Sequence, residues 1–167
     1  MITAGQALPA GKLMESTSFD DQTGCPLGPQ EVDIAASTKD KKIVIFGLPG
    51  AYTPTCSAKH VPGFVQHAAA LKAKGVNEVW CVTTNDAFVM AAWGKHLQVN
   101  GTVRMLADGS AQYVKELGLE LDLTARGMGV RSNRYAMIVD HGVVKGVFVE
   151  GPGKFEVSSA EAVLAHL

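Results

Sequence analysis

Apolar residues fall in two rhythms along this chain. Lys42-Ile43-Val44-Ile45-Phe46 and Val79-Trp80-Cys81-Val82-Thr83 are short runs rich in β-branched and aromatic side chains, the pattern of strands buried on both faces, and Val103–Leu106 is a shorter third. Between them the spacing changes to threes and fours. Val61, Phe64, Val65, Ala68 and Leu71 form one helical stripe, with Lys72 and Lys74 in the last turn and Gly75 as its cap. Asp86 caps a helix with Val89, Trp93, His96 and Leu97 on one face, and Asp108 or Ser110 caps another, which contains Tyr113, Val114 and Leu117 and ends at Gly118. There the alternation stops. Tyr135–Val139 and Val143–Val149 flank Asp140-His141-Gly142, the turn chemistry of an antiparallel hairpin, and Ser158-x-x-Glu161 is a capping box that opens a last helix. Residues 1–40 mix Gly, Pro, Ser, Thr and Asp with short apolar groups and predict an irregular start with short strands.

This order predicts an α/β fold: a mixed central sheet with helices on both faces, then a C-terminal β-hairpin plus helix. A length of 167 residues suits one hydrophobic core, and no repeat or linker divides it, so residues 1–167 are expected to form a single domain. With 15 basic and 16 acidic residues there is no electrostatic bias, which argues against a nucleic-acid binder. No apolar run approaches the length that spans a bilayer, and Met1–Asp21 has no continuous apolar core of a secretory signal. No membrane association and a cytoplasmic location are therefore expected. Three cysteines without close spacing do not make a disulfide framework and suit a reducing compartment.

The candidate chemistry lies at residues 49–63. Cys56 sits where the first buried strand has ended and the first helix begins, so it meets backbone N–H groups without partners and the positive end of a helix dipole, which favour a thiolate. Thr53 can aim a hydroxyl at the sulfur or at what the sulfur attacks, while Pro49 and Pro54 stiffen the turn. The local pattern leaves open that Cys56 is simply a small buried hydrophobe. Cys25, in Thr23-Gly24-Cys25-Pro26, reads as an exposed turn thiol, with a resolving partner for Cys56 as the alternative, and Cys81 as a buried strand residue.

The spacing Pro49-x-x-x-Thr53-x-x-Cys56 resembles the active-site signature of peroxiredoxins, and Phe46-Gly47 through Phe64 resembles the atypical type II, peroxiredoxin-5-like subfamily. Asn85–Trp93, Leu119–Leu123, Gly129–Tyr135 and Val157–Ala160 are similar to that subfamily as well, in the expected order. The resemblance covers nearly the whole chain from Ile43 onward. It implies a thioredoxin-like fold and a thiol peroxidase reducing hydrogen peroxide and small alkyl hydroperoxides through a Cys56 sulfenic acid. It also implies that Arg134 enters the pocket from a later strand to favour the thiolate and bind peroxide, with Arg131 its nearby competitor and otherwise a solvated charge. Thr53 would hydrogen-bond the peroxide and the sulfur, Pro49 would shield the sulfur from water, and the backbone N–H of Cys56 would bind a peroxide oxygen. His60 is a candidate hydrogen-bond partner behind the thiol.

No cofactor is implied, and the expected partners are a reductant, either glutathione with glutaredoxin or thioredoxin, and a second copy in a homodimer. Relatives that form an internal disulfide carry a second cysteine near the C-terminus, and 151–158 has none; Cys81 is left as a resolving or accessory candidate. Three alternatives stay open. A thiol-disulfide oxidoreductase would want Cys-x-x-Cys, where this chain has Thr53. A metal site at Cys56 and His60 lacks a second pair of ligands, and a peroxide sensor or holdase would use the same Cys56.

Overall fold

In the computed structural model, which describes residues 1–167, the chain opens with β1 (Lys12–Glu15), β2 (Ser18–Phe19), β3 (Pro26–Leu27), β4 (Gln30–Asp33) and the short helix α1 (Ile34–Thr38). The alternating part follows as β5 (Lys42–Gly47), a π-helical turn (Cys56–His60) that runs into α2 (Val61–Gln66) and α3 (Ala68–Ala73), β6 (Glu78–Thr83), α4 (Ala87–His96), β7 (Arg104–Ala107) and α5 (Gln112–Leu117). The strands β8 (Glu120–Asp122) and β9 (Val130–Ser132) pair around a 3-10 turn at Thr124–Arg126, and β10 (Tyr135–Asp140), β11 (Val143–Val149) and α6 (Ala160–Leu164) complete the chain.

Seven strands form one mixed sheet in the order β11-β10-β5-β6-β7-β1-β4, parallel across β5, β6 and β7 and antiparallel elsewhere. Alternation along β5 divides the core: Val44 and Phe46 face one apolar cluster with Phe64, Leu71 and Trp93, while Ile43 and Ile45 face another with Trp80, Tyr113 and Tyr135. Cys56 and Cys81 belong to the first cluster, beneath the helices.

The hairpin turn is as expected, with His141 and Gly142 both in the left-handed region (φ 49° and 77°) of a two-residue turn. Other details differ from the sequence reading. The irregular start contributes β1 and β4 to the main sheet. The helix predicted through Leu71 is broken at His67, whose ring Nδ1 competes for the Gly63 carbonyl at 2.9 Å. Asp86 caps α4, but the buried face comprises Ala87, Met90, Ala91, Trp93 and Gly94, so His96 is exposed. In α5 the residue before the first turn, Ala111, is left-handed, and Asp108 reaches across it to accept from Tyr113 and Val114 N–H; Ser110 plays no part in the cap. The last cap is Ser159, one residue later than the capping box predicts, because Ser158 is buried.

Candidate active site

Strand β5 delivers the chain into the loop 48–55 directly under the reactive end of the sheet. Gly47 is required there: a Cβ at that position would lie 2.1 Å from the Tyr135 ring. The loop is strapped from two sides. Asn85 Oδ1 accepts from Ala51 N–H at 2.8 Å, and Arg131 donates to the Pro49 carbonyl at 3.3 Å and to the Met128 carbonyl at 2.8 Å. Arg131 is therefore a brace for the Pro49-Gly50 turn, which corrects its reading as a solvated charge.

The turn that carries Cys56 is π-helical, with Val61 N–H donating to the Cys56 carbonyl. Pro62 accounts for the widening, since in a regular α-helix its ring would strike the carbonyl four residues back. Cys56 is buried, its backbone N–H has no backbone acceptor, and the indole of Trp93 donates to Ser57 Oγ at 3.0 Å to pin the first turn.

Arg134 reaches this sulfur from 78 residues away. Its position follows from the sheet: β10 begins at Tyr135 opposite Gly47, so the preceding residue arrives beside the loop that leaves β5. Arg134 Nη2 donates to Cys56 Sγ at 3.2 Å and Nη1 donates to His60 Nδ1 at 3.0 Å. The imidazole has its tautomer assigned by its partners: Nε2–H donates to the Ser158 carbonyl at 3.0 Å, which leaves Nδ1 as the acceptor. Burial, then the charge of Arg134, holds the His60 pKa down to about 3, against the opposing pull of the Ser158 carbonyl. A neutral His60 thus aims Arg134 at the sulfur.

Thr53 Oγ donates to the Gly50 carbonyl at 2.7 Å and makes no hydrogen bond to Cys56; its lone pairs stay free as acceptors. Pro49, Thr55 and Arg134 line a cavity of about 380 Å³. The far wall is the loop after β11. Glu150, buried, accepts from the backbone N–H groups of Glu156, Val157 and Ser158, and so folds that loop back to set Phe155 edge-on against His60 at 5.0 Å. Sequence reasoning did not single out Asn85 or Glu150 individually, because each acts on backbone N–H groups that no side-chain pattern announces.

Cys81 is fully buried on β6 in register with Phe46, and burial, with the neighbouring Cys56, pushes its thiol well up. Cys25 is exposed, immediately before β3. No cluster of three or more His, Cys, Asp or Glu side chains is assembled anywhere, and a guanidinium against both Cys56 and His60 opposes a cation there.

A mixed sheet of this order, with a lone thiol at a strand-to-helix junction and a guanidinium on its sulfur, defines a thioredoxin-like thiol peroxidase. Comparison with known proteins narrows the class. The Redoxin family model matches residues 3–164. Peroxiredoxin-2D of Arabidopsis thaliana is 46% identical over 99% of this chain and 98% of its own. Reduced Prx3 from Vibrio vulnificus, solved with hydrogen peroxide, superposes with a TM-score of 0.89 at 46% identity, covering 99% of both chains. A Burkholderia cenocepacia structure described as a candidate thioredoxin reductase gives 0.93 at 58% identity, covering 100% of this chain and 98% of that one. The chain belongs to the Redoxin family and, within it, to the type II peroxiredoxins, enzymes that reduce peroxide at the expense of a thiol.

Proposed function

We propose that Cys56 is the peroxide-reducing thiol, acting on hydrogen peroxide and small alkyl hydroperoxides in antioxidant defence. The contact that carries this reading is Arg134 Nη2 on Cys56 Sγ at 3.2 Å, a charged donor on the nucleophilic sulfur that stands ready for a peroxide oxygen. The thiolate attacks one peroxide oxygen, the O–O bond breaks, and water or an alcohol leaves while Cys56 becomes a sulfenic acid. Thr53 Oγ, already donating to Gly50, accepts the peroxide O–H, and Arg134 with the Cys56 N–H stabilises charge on the departing oxygen. Pro49 keeps water from the sulfur.

An external thiol, glutathione with glutaredoxin or thioredoxin, then returns the sulfenic acid to the thiol. Cys81 is an accessory at most: it is buried in β6, and a disulfide needs the two Cα atoms within about 7 Å and suitably aimed. Tyr52, in the loop 48–55 and beside His96, and Phe88, on helix α4, are half exposed, apolar side chains suited to a homodimer contact. Three free cysteines suit a reducing compartment, the cytoplasm. Peroxide consumption by Cys56→Ser and Cys81→Ser tests the reading, with each reductant supplied separately. Loss of turnover in the first and normal glutaredoxin-driven turnover in the second are expected; full activity of Cys56→Ser would overturn it.

A further inference from the structure

We propose that Arg126 and Lys154 form a carboxylate-binding rim on the cavity that Arg134 lines beside Cys56, selecting co-substrates that carry a carboxylate, whether the hydroperoxide or the small thiol that reduces the sulfenic acid. The proposal rests on the peroxidase reading above. The cavity of about 380 Å³ is large enough for a tripeptide-sized molecule, far more than hydrogen peroxide occupies. Pro49, Thr55 and Arg134, whose Nη2 donates to Cys56 Sγ, line it together with Arg126 and Lys154.

These two cations are placed by separate elements and have no partner. Arg126 closes the 3-10 turn, whose first residue is held by Asp122 accepting from Thr124 N–H at 2.9 Å. Lys154 ends the turn Gly151-Pro152-Gly153-Lys154, closed by its N–H on the Gly151 carbonyl at 3.0 Å. Neither side chain makes an ion pair or hydrogen bond, whereas Lys12, Lys41 and Arg104 are paired with glutamates. Glu150 is the one acid in the lining, and it is turned to the N–H groups of Glu156, Val157 and Ser158. Arg134 is committed to Cys56 and His60. The free charge lining the cavity is therefore that of Arg126 and Lys154.

A carboxylate-bearing thiol seated there reaches the sulfenic acid with its sulfur. Its sulfur bonds to Cys56 Sγ as the S–O bond breaks; the thiol is oxidised, the sulfenic sulfur is reduced, and the oxygen leaves as water with the thiol proton. A carboxylate-bearing hydroperoxide seated in the same way presents its O–O bond to the thiolate.

The test is a pair of rate ratios on the whole protein at low salt. One equivalent of hydrogen peroxide forms the sulfenic acid, trapped in a parallel sample with dimedone, and its reduction is timed with glutathione and with glutathione diethyl ester. A second arm times Cys56 oxidation by a short carboxylate-bearing alkyl hydroperoxide and by its methyl ester. In one arm at least, wild type is expected to favour the acid over the ester, and Arg126→Gln/Lys154→Gln to lower that ratio by about 5-fold, the scale of two exposed ion pairs; the arm that moves identifies the source. Ratios equal in wild type and variant in both arms, with a dimedone adduct present, overturn the rim alone. No adduct in wild type overturns the peroxidase reading and the rim with it.

Discussion

His60→Asn removes a buried titratable group while keeping an acceptor that can face Arg134. In the folded protein the imidazole stays neutral, its pKa held at about 3, whereas in the unfolded chain it regains the ordinary 6.5. A folded-state pKa below the unfolded one means that the unfolded chain binds the proton first as acid is added. The stabilisation is therefore complete above about pH 6.5 and is lost as pH falls toward 3. Between about pH 7.5 and about pH 5 the unfolded state takes up nearly one proton that the native state does not, a linkage of ~2 kcal/mol. With a urea dependence of ~2 kcal/mol per M for a chain of this size, the wild-type midpoint should drop by ~1 M more than that of His60→Asn over this interval. Carboxylates titrate alike in both proteins and cancel in the difference. Urea unfolding followed by tryptophan fluorescence at the two pH values measures it, and parallel shifts in the two proteins would refute a neutral, buried His60.

Arg134→Lys keeps a positive charge but loses the fork that holds Cys56 and His60 at once, and second-order oxidation of Cys56 by hydrogen peroxide should slow by ~10²-fold. Stopped-flow fluorescence reads that rate, and a loss under threefold would count against the guanidinium's role. Gly47→Ala forces a methyl into the Tyr135 ring and should cost ~1–3 kcal/mol or more, seen as a lower Tm in thermal unfolding. Glu150→Ala strips the acceptor from Glu156, Val157 and Ser158 N–H, for a loss of ~1–3 kcal/mol. Limited proteolysis should then cut within 151–158, and a loop as resistant as wild type would show that it is held by other contacts.

The strands most legible in the sequence are those buried on both faces. Ile43 to Phe46 and Val79 to Cys81 are all nearly inaccessible to solvent, so each residue had to be apolar and the run reads without ambiguity. β1 and β4 were harder to see because β4 is the edge strand and β1 lies next to it, where Lys12, Gln30 and Glu31 face water and dilute the pattern. Errors at the caps have a common cause. A serine reads as a cap from its type alone, but Ser158 points inward while Ser159 accepts from Ala162 N–H, and that choice is made by Glu150 folding the loop. In the site, the junction position of Cys56 is a local property and visible. The approach of Arg134 depends on the β5–β10 pairing, so only the resemblance pointed to it.

Cys56 and Cys81 share one apolar cluster and are equally hidden from solvent, yet their surroundings differ in the property that decides thiol chemistry. Cys56 leaves the sheet on a helical first turn and receives a charged donor from Arg134. Cys81 lies within β6, pairs with Phe46 on one side and Met105 on the other, and is driven up by burial and by Cys56 itself, with Arg134 only a weaker opposing influence. A thiol so placed stays protonated, and attack on a sulfenic acid needs a thiolate. Resolution from within the chain would therefore require Cys81 both to move and to ionise inside a core whose packing opposes each. A small thiol entering past Arg126 and Lys154 faces neither cost, because it ionises in water and enters a cavity lined by the same Arg134 that contacts the sulfur. The same burial that silences Cys81 thus favours the proposed recycling by a reductant from solution.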